Sequence, residues 1–238
     1  MKILAIETAT PASSVALGED ASLVALSLHT DRRGHLGFLV PAIEFCFARA
    51  RWRPEDIDLV AVDVGPGPYA GIRAGIATAQ GIAAAVGVPI VTVGSLTALA
   101  LRAATGRRRI WPVVDVRRGQ IATAPYRPVP GGVVPDGGAE LATPEAFRAM
   151  IDADPEDTLV VGQWDALPDG LLRGLHRVRT GRPRYPGADV LLEIAALRTV
   201  NEDYARPEDV RPFYLREPDA AINWSDFREE GSWPGAAS

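Results

Sequence analysis

The stretch Leu59–Val86, LVAVDVGPGPYAGIRAGIATAQGIAAAV, limits what this chain can become more than any other. Leu59 to Val64 is a short apolar run rich in β-branched residues, the pattern of a strand covered on both faces. Gly65-Pro66-Gly67-Pro68 ends it, because two prolines remove ladder donors and two glycines permit positive φ. From Ile72, the apolar residues Ile76, Ala79, Ala83 and Val86 recur at helical spacing. The other side of that helix offers Gly71, Gly75, Thr78 and Gly81. A glycine inside a helix costs about 1 kcal/mol against alanine, so close backbone approach must offset it. Strand, turn and helix form one unit, and something packs tightly on it.

A Gly-rich turn before a helix raises the question of phosphate binding. The spacing is G-x-G-x-x-x-G with no G-K-[ST] after it, so this is not a Walker loop. The next strand, Pro89 to Val93, ends in Gly94-Ser95 instead of the acidic residue a dinucleotide fold wants. Pro66 and Pro68 delete two N–H groups that a phosphate cradle would use. A structural turn that sets the helix angle accounts better for these residues.

The rest of the chain is an ordinary globular sequence: 238 residues, net charge −5 and 47% hydrophobic, enough for one large domain or two small ones. Mild acidity argues against stand-alone nucleic-acid binding and leaves room for a local basic patch. The lone Cys46 excludes an internal disulfide and a multi-cysteine zinc site, which fits a reducing cytoplasm. Met1-Lys2 is followed by four apolar residues before Glu7, too few for a secretory signal. Ala74 to Leu101 lacks charge, but Pro89 splits it into helix, strand and helix, so no membrane span is expected.

Before the central unit come three expected strands, Lys2 to Thr8, Ser13 to Gly18 and Ser22 to Leu28, then a helix from His35 to Arg51. The order βββαβα is that of a ribonuclease-H-like lobe. The second half is less periodic. Strands are expected at Ile110 to Val116, Ile121 to Tyr126 and Thr158 to Val161, with a Pro/Gly loop from Pro128 to Gly138. Thr143-Pro144-Glu145 opens a short helix with a Thr cap, and Val190 to Val200 forms another. The division expected is a first lobe over 1–104, a smaller second lobe over 105–215 and a tail over 216–238. The tail carries Trp224 and Trp233.

Several blocks resemble one family. G-P-G-P-Y-A-G-I-R-A-G-I-A-T-A-Q-G, Gly65 to Gly81, resembles the signature of the bacterial TsaB family, with Ala70 for its usual Thr and Gln80 for its usual Lys. L-A-I-E-T-A-T, Leu4 to Thr10, is similar to its L-A-I-D-T-S-T. Val114 to Gln120 is similar to its D-A-R-R-G-E block, and Val210 to Arg216 resembles its closing P-x-Y-L-R. His35 to Pro41 echoes its H-S-E-x-L-x-P, with Gly37 where Glu is usual. The matches span roughly Met1 to Arg216. The resemblance implies an α/β actin-like ATPase (ribonuclease-H-like) fold of two lobes, the second reduced. It also implies a non-catalytic, cytoplasmic subunit required for threonylcarbamoyl transfer to the tRNA adenosine next to the anticodon. Such a subunit dimerises with the catalytic paralogue TsaD, supports binding of the ATPase TsaE, forms homodimers when alone and meets tRNA only within the complex. It has no cofactor of its own; ATP and metal are expected on the partners.

Does the chain carry chemistry itself? In ATP-using relatives of the fold, an Asp ends the first strand and a D-x-G-[ST] loop takes the phosphate. Glu7-Thr8-Ala9-Thr10 keeps a carboxylate and lacks the glycine. Glu7 either sits near a shared phosphate or metal, or ends a strand in solvent, the simpler reading. Glu7, Thr8, Gly65, Gly67 and Arg73 are the candidates for a shared nucleotide edge. The TsaD family holds metal with an H-x-x-x-H pair; Val93 to Leu99, at the equivalent place, has neither His. With only His29, His35 and His176, a histidine metal site is not expected. No G-x-S-x-G occurs. Glu7 and Asp115 could meet across the lobes, although 30 acidic residues make such pairs common by chance. The rivals are an independent actin-fold small-molecule kinase or hydrolase, which the missing motifs oppose, and a plain homodimeric scaffold.

Two surface features remain. Leu172 to Tyr185 carries Arg173, His176, Arg177, Arg179, Arg182 and Arg184, either a solvated surface or a contact for tRNA phosphates. In the helix from His35, Leu36, Leu39, Val40, Ile43 and Phe47 form one stripe, and Phe38, Ala42, Phe45 and Arg49 a second. One stripe covers a sheet and the other should meet a partner. The expected partner interface is Leu36, Phe38, Leu39, Ala42, Ile43 and Phe45, joined by Gly71, Gly75 and Thr78.

Overall fold

The computed structural model describes residues 1–31 and 35–216, without the side chains of residues 35 and 36. β1 (Lys2–Glu7) is buried on both faces and is the axis of the first sheet. β2 (Ala12–Glu19) and β3 (Ser22–Thr30) follow it as an antiparallel meander. α1 (His35–Ala50) then carries the chain over to β4 (Leu59–Asp63), parallel to β1, and α2 (Tyr69–Val86) to β5 (Ile90–Val93), parallel to β4. Each parallel step uses a helical crossover, as it must. The sheet order is β3-β2-β1-β4-β5, the ribonuclease-H-like arrangement expected from the element order.

The two-residue period of β1 sends Leu4 and Ile6 to one face and Ile3 and Ala5 to the other. The first face packs against Leu39 and Phe47 of α1 and Ile72 and Ile76 of α2. The second is covered from far along the chain by α5 (Ala188–Thr199), through Leu191, Leu192 and Ala195. A Cβ on Gly18 would stand 2.6 Å from Leu192 Cδ1, so glycine lets α5 seat on β2. Burial on both faces is why these strands read as continuous apolar runs.

The second sheet repeats the plan with shorter strands. β6 (Arg109–Asp115), β7 (Ile121–Thr123), β10 (Glu140–Ala142), β11 (Thr158–Gly162) and β12 (Val178–Thr180) lie in the order β10-β7-β6-β11-β12. α3 (Ser95–Arg102) covers one face, Leu96 and Leu99 against Ile110, Val114 and Ala122. α4 (Pro144–Ala153) covers the other, Phe147 and Ile151 against Trp111, Val113 and Val160. The Thr143 hydroxyl accepts the Ala146 N–H at 3.2 Å, the cap read from the sequence.

Pro128 to Gly138 is largely not a loop. It holds a hairpin of β8 (Tyr126–Val129) and β9 (Gly132–Pro135), turning at Pro130-Gly131 with Gly131 at φ 82°. Prolines at 128, 130 and 135 hid it, and they are tolerated because β9 pairs with β8 alone and leaves its other edge open. β12 was not foreseen either, being three residues inside the basic stretch. α2 starts at Tyr69, because Pro68 with its fixed φ leads directly into the first turn. Among the described residues no helix is long and apolar enough to cross a membrane. The tryptophans at 224 and 233 and the tail from 217 lie outside the described residues.

Candidate functional site

β1 and β4 are neighbouring parallel strands, with Ile6 opposite Val62, so the turns that follow them emerge side by side. The two turns are pressed together. A Cβ on Gly67 would lie 1.9 Å from the Ala9 carbonyl oxygen, and one on Gly75 2.3 Å from Thr8 Oγ1. Thr8 Oγ1 donates to the Gly71 carbonyl at 2.8 Å. Gly65, at φ 103°, would clash with Ile72 and the Phe213 carbonyl if it carried a side chain. What packs against Gly67, Gly71 and Gly75 is therefore the chain's own turn at residues 8 and 9. Gly71 and Gly75 are buried there, which corrects their assignment to a partner interface.

Glu7 and Thr8, placed at a nucleotide edge by sequence, are 0% and 1% exposed. Glu7 is thus not a solvated strand end. Its Oε1 accepts the Ala9 N–H at 2.9 Å, and its Oε2 faces the Ser14 hydroxyl at 3.5 Å. The charge beside it is Asp63, at the end of β4. Asp63 Oδ1 accepts the Gly65 N–H at 2.8 Å and the Ser95 hydroxyl at 2.7 Å, while Oδ2 is buried without a partner. Burial pushes Asp63 up to about 7 against those two hydrogen bonds. Burial, then repulsion from Asp63, holds Glu7 well above the usual carboxylate range. Asp115, the partner suggested by sequence, instead accepts the Arg117 N–H of its own turn at 2.8 Å. Asp63 was missed, although a single carboxylate ending an otherwise apolar strand was the signal.

The closing segment seals the outer side of the turn. Phe213 N–H donates to the Val64 carbonyl at 2.7 Å, and Tyr214 stacks on Tyr69 with ring centroids 4.2 Å apart. Arg73 is exposed, lies over Tyr69 and donates through Nε to the Tyr214 hydroxyl at 2.9 Å. Gln80, where lysine is usual, donates to the Pro207 and Val210 carbonyls and ties α2 to that segment. Between the Gly/Pro turn, the Arg117-Arg118 turn and residues 213–216 there remains a cavity of about 220 Å³. Small-molecule sites usually offer about 300–1,000 Å³. No group of three His, Cys, Asp or Glu residues is placed to hold a metal among the described residues.

On α1 the structure rotates the expected stripes. Leu39, Ala42, Cys46 and Phe47 form the buried arc, because α1 packs on β2, β3 and α2 together. Phe38 and Ile43 are half-buried against the same core, Phe38 stacking on His29. Leu39 and Ala42 are thus core residues, not interface. Val40 is 59% exposed, and Phe45 is 44% exposed. Thr78 is half-buried and donates to the Ala74 carbonyl. The Leu36 side chain lies outside the described residues. The face left open on this layer is Val40, Pro41 and Phe45 of α1 with Ala77, Gly81 and Ala84 of α2.

Two sheets of one strand order, β3-β2-β1-β4-β5 and β10-β7-β6-β11-β12, define an actin-like, ribonuclease-H-like two-sheet protein. Residues 29–145 match the model of the family described as TsaD, tRNA N6-adenosine threonylcarbamoyltransferase. The Escherichia coli protein named tRNA threonylcarbamoyladenosine biosynthesis protein TsaB is 31% identical, over 91% of this chain and 95% of its own. The Bacillus subtilis protein of the same name is 32% identical over 96% of this chain and all of its own. A crystal structure from Pseudomonas aeruginosa, of a protein described as similar to peptidase YEAZ, superposes with a TM-score of 0.78. Its identity is 27%, over 90% of this chain and 99% of that one. A ROK hexokinase from Thermus thermophilus shares the fold at a TM-score of 0.50 and 14% identity, over 84% of this chain and all of that one. The chain belongs to the TsaB family.

Proposed function

We propose that this chain serves tRNA threonylcarbamoyladenosine biosynthesis as a non-catalytic subunit of the threonylcarbamoyl-transferring assembly in the cytoplasm. The names of its relatives support the pathway. The packing of Gly67 on the Ala9 carbonyl supports the rest: the turns after β1 and β4 are pressed together, as suits a chain that leaves phosphate binding to its partners. ATP and metal then belong to the partners, a TsaD-like catalytic subunit and a TsaE-like ATPase, and this chain contributes a surface. That surface is the open α1–α2 layer, with Val40 and Phe45 as apolar anchors and Ala77, Gly81 and Ala84 allowing a partner helix to come close. Alone, the chain covers it by forming a homodimer; in the complex a TsaD-like subunit takes that place.

Phe45→Glu tests the reading. The side chain is exposed, so the variant should fold normally. The expected result is a folded monomer by light scattering that no longer restores tRNA modification when mixed with its partners. A variant that still dimerises and still supports modification would sink the proposal.

A further inference from the structure

The basic stretch is gathered by β12 at the edge of the second sheet. Residues 172–185 contain five arginines and no acidic residue, in a chain whose net charge is −5. How these arginines are held matters more than their number. Arg177 donates to the Pro155 carbonyl at 2.8 Å, and Arg179 to the carbonyls of His176 and Val178. Arg148 reaches in from α4 to the carbonyls of Leu171 and Arg173. Arg108 donates to the Arg177 carbonyl and also meets Asp157 at 3.5 Å. Arg184, at the end of the stretch, pairs instead with Asp165, as Arg102, Arg109, Arg127 and Arg206 elsewhere pair with carboxylates. A carbonyl oxygen orients a guanidinium without cancelling its charge, and one such bond leaves most of its five N–H donors for another acceptor.

We infer that this edge is a docking surface for the phosphate backbone of RNA, with Arg148, Arg177 and Arg179 as its oriented cations. Arg173 and Arg182 are exposed beside them and extend it. Arg177, in the turn that leads into β12, and Arg179, within β12, are two residues apart and both exposed. A polyanion also suits a stretch that is basic in a chain whose net charge is −5. This deepens the functional reading above and rests on it for the identity of the RNA as a tRNA.

The test is fluorescence anisotropy of the full chain, assembled with its TsaD-like and TsaE-like partners, with a labelled, unmodified tRNA transcript at 50 and 200 mM salt. Arg177→Gln with Arg179→Gln should weaken binding roughly tenfold at the lower salt. It should also lower the slope of log affinity against log salt by about 1.4–1.8, two phosphates' worth. Arg177→Lys with Arg179→Lys keeps the charge and should bind within about twofold of the wild type. Thermal melting should be the same for all three proteins. The inference is overturned if the wild type does not bind at 50 mM salt, or if the Gln variant binds like the wild type. It is equally overturned if the Gln variant binds RNA normally but fails to support modification, which would mark the edge as a protein contact. If RNA binding falls as expected while the wild-type chain supports no modification with its partners, the surface stands and the functional reading fails.

Discussion

β1 and β6 hold the same place in two sheets of the same strand order, yet their ends are closed in different ways. β1 ends in Glu7, buried beside Asp63 under a turn whose glycine touches the neighbouring backbone. β6 ends in Asp115, half-exposed, which binds the N–H of its own turn. That second turn runs through Arg117, Arg118 and Gly119 at φ 69°, 58° and 68°, and a Cβ on Gly119 would meet nothing within 4 Å. A turn can receive a ligand only if its donors face open space. The first lobe has used that space for packing; the second has kept its turn open.

The sharpest way to break this comparison is one methyl group in each turn. In Gly67→Ala the new Cβ would stand 1.9 Å from a carbonyl oxygen of the backbone, which cannot rotate away. The expected loss is about 4 kcal/mol or more, or failure to fold. Gly119→Ala meets only the φ penalty and should lose about 1 kcal/mol. Urea midpoints measure both. Similar losses at the two positions would mean the turns are packed alike.

The buried carboxylate pair gives the next effect. Asp63 rises from 3.8 to about 7 on folding, and Glu7 rises as well. The folded chain therefore holds protons that the unfolded chain releases, so stability falls as pH rises from about 4 to about 7. Below 4 both states are protonated and the term vanishes. Asp63→Asn keeps an acceptor for Gly65 and Ser95 and removes one charge. It should raise stability at pH 8 by on the order of 1–4 kcal/mol and flatten the profile between pH 4 and 7. Equal slopes for variant and wild type in calorimetric scans would show that the pair is not a buried liability.

The same contrast explains what could be read from sequence. The first sheet was legible because strands buried on both faces leave long apolar runs, and because the Gly/Pro turn punctuates them. Gly67 and Gly75 mark close packing, whereas a Cβ on Gly81 would meet nothing within 4 Å, and nothing local says that the other party is the chain's own turn at Thr8 and Ala9. The contact of Gly67 with Ala9 joins residues 58 positions apart through the parallel pairing of β1 and β4. In α1 two apolar stripes were visible, and the choice of which arc turns inward was made by three neighbours, not by the helix. Strands of three or four residues carry too little periodicity to register, so β12 leaves no sequence signal and the β8–β9 hairpin reads as a loop. The one second-lobe feature with local chemistry, the Thr143 cap, was placed correctly.

That cap supports the smallest prediction. α2 begins at Pro68 with no side-chain cap, and its start is clamped by Tyr214 stacked on Tyr69 and by Thr8 on the Gly71 carbonyl. α4 begins with its own Thr143, whose hydroxyl satisfies an N–H that would otherwise face water. One helix start is held by distant residues, the other by its neighbours in sequence. Thr143→Ala should therefore lose about 1 kcal/mol, and Thr143→Ser much less. The loss should be local: faster hydrogen exchange at the first amides of α4, with β1 and β4 unchanged. Phe147 and Ile151, buried against Trp111 and Val160, keep the rest of the helix docked. If exchange quickens equally in both sheets, the lobes unfold as one unit. The division between a start set by local chemistry and one set by long-range packing would then not extend to stability.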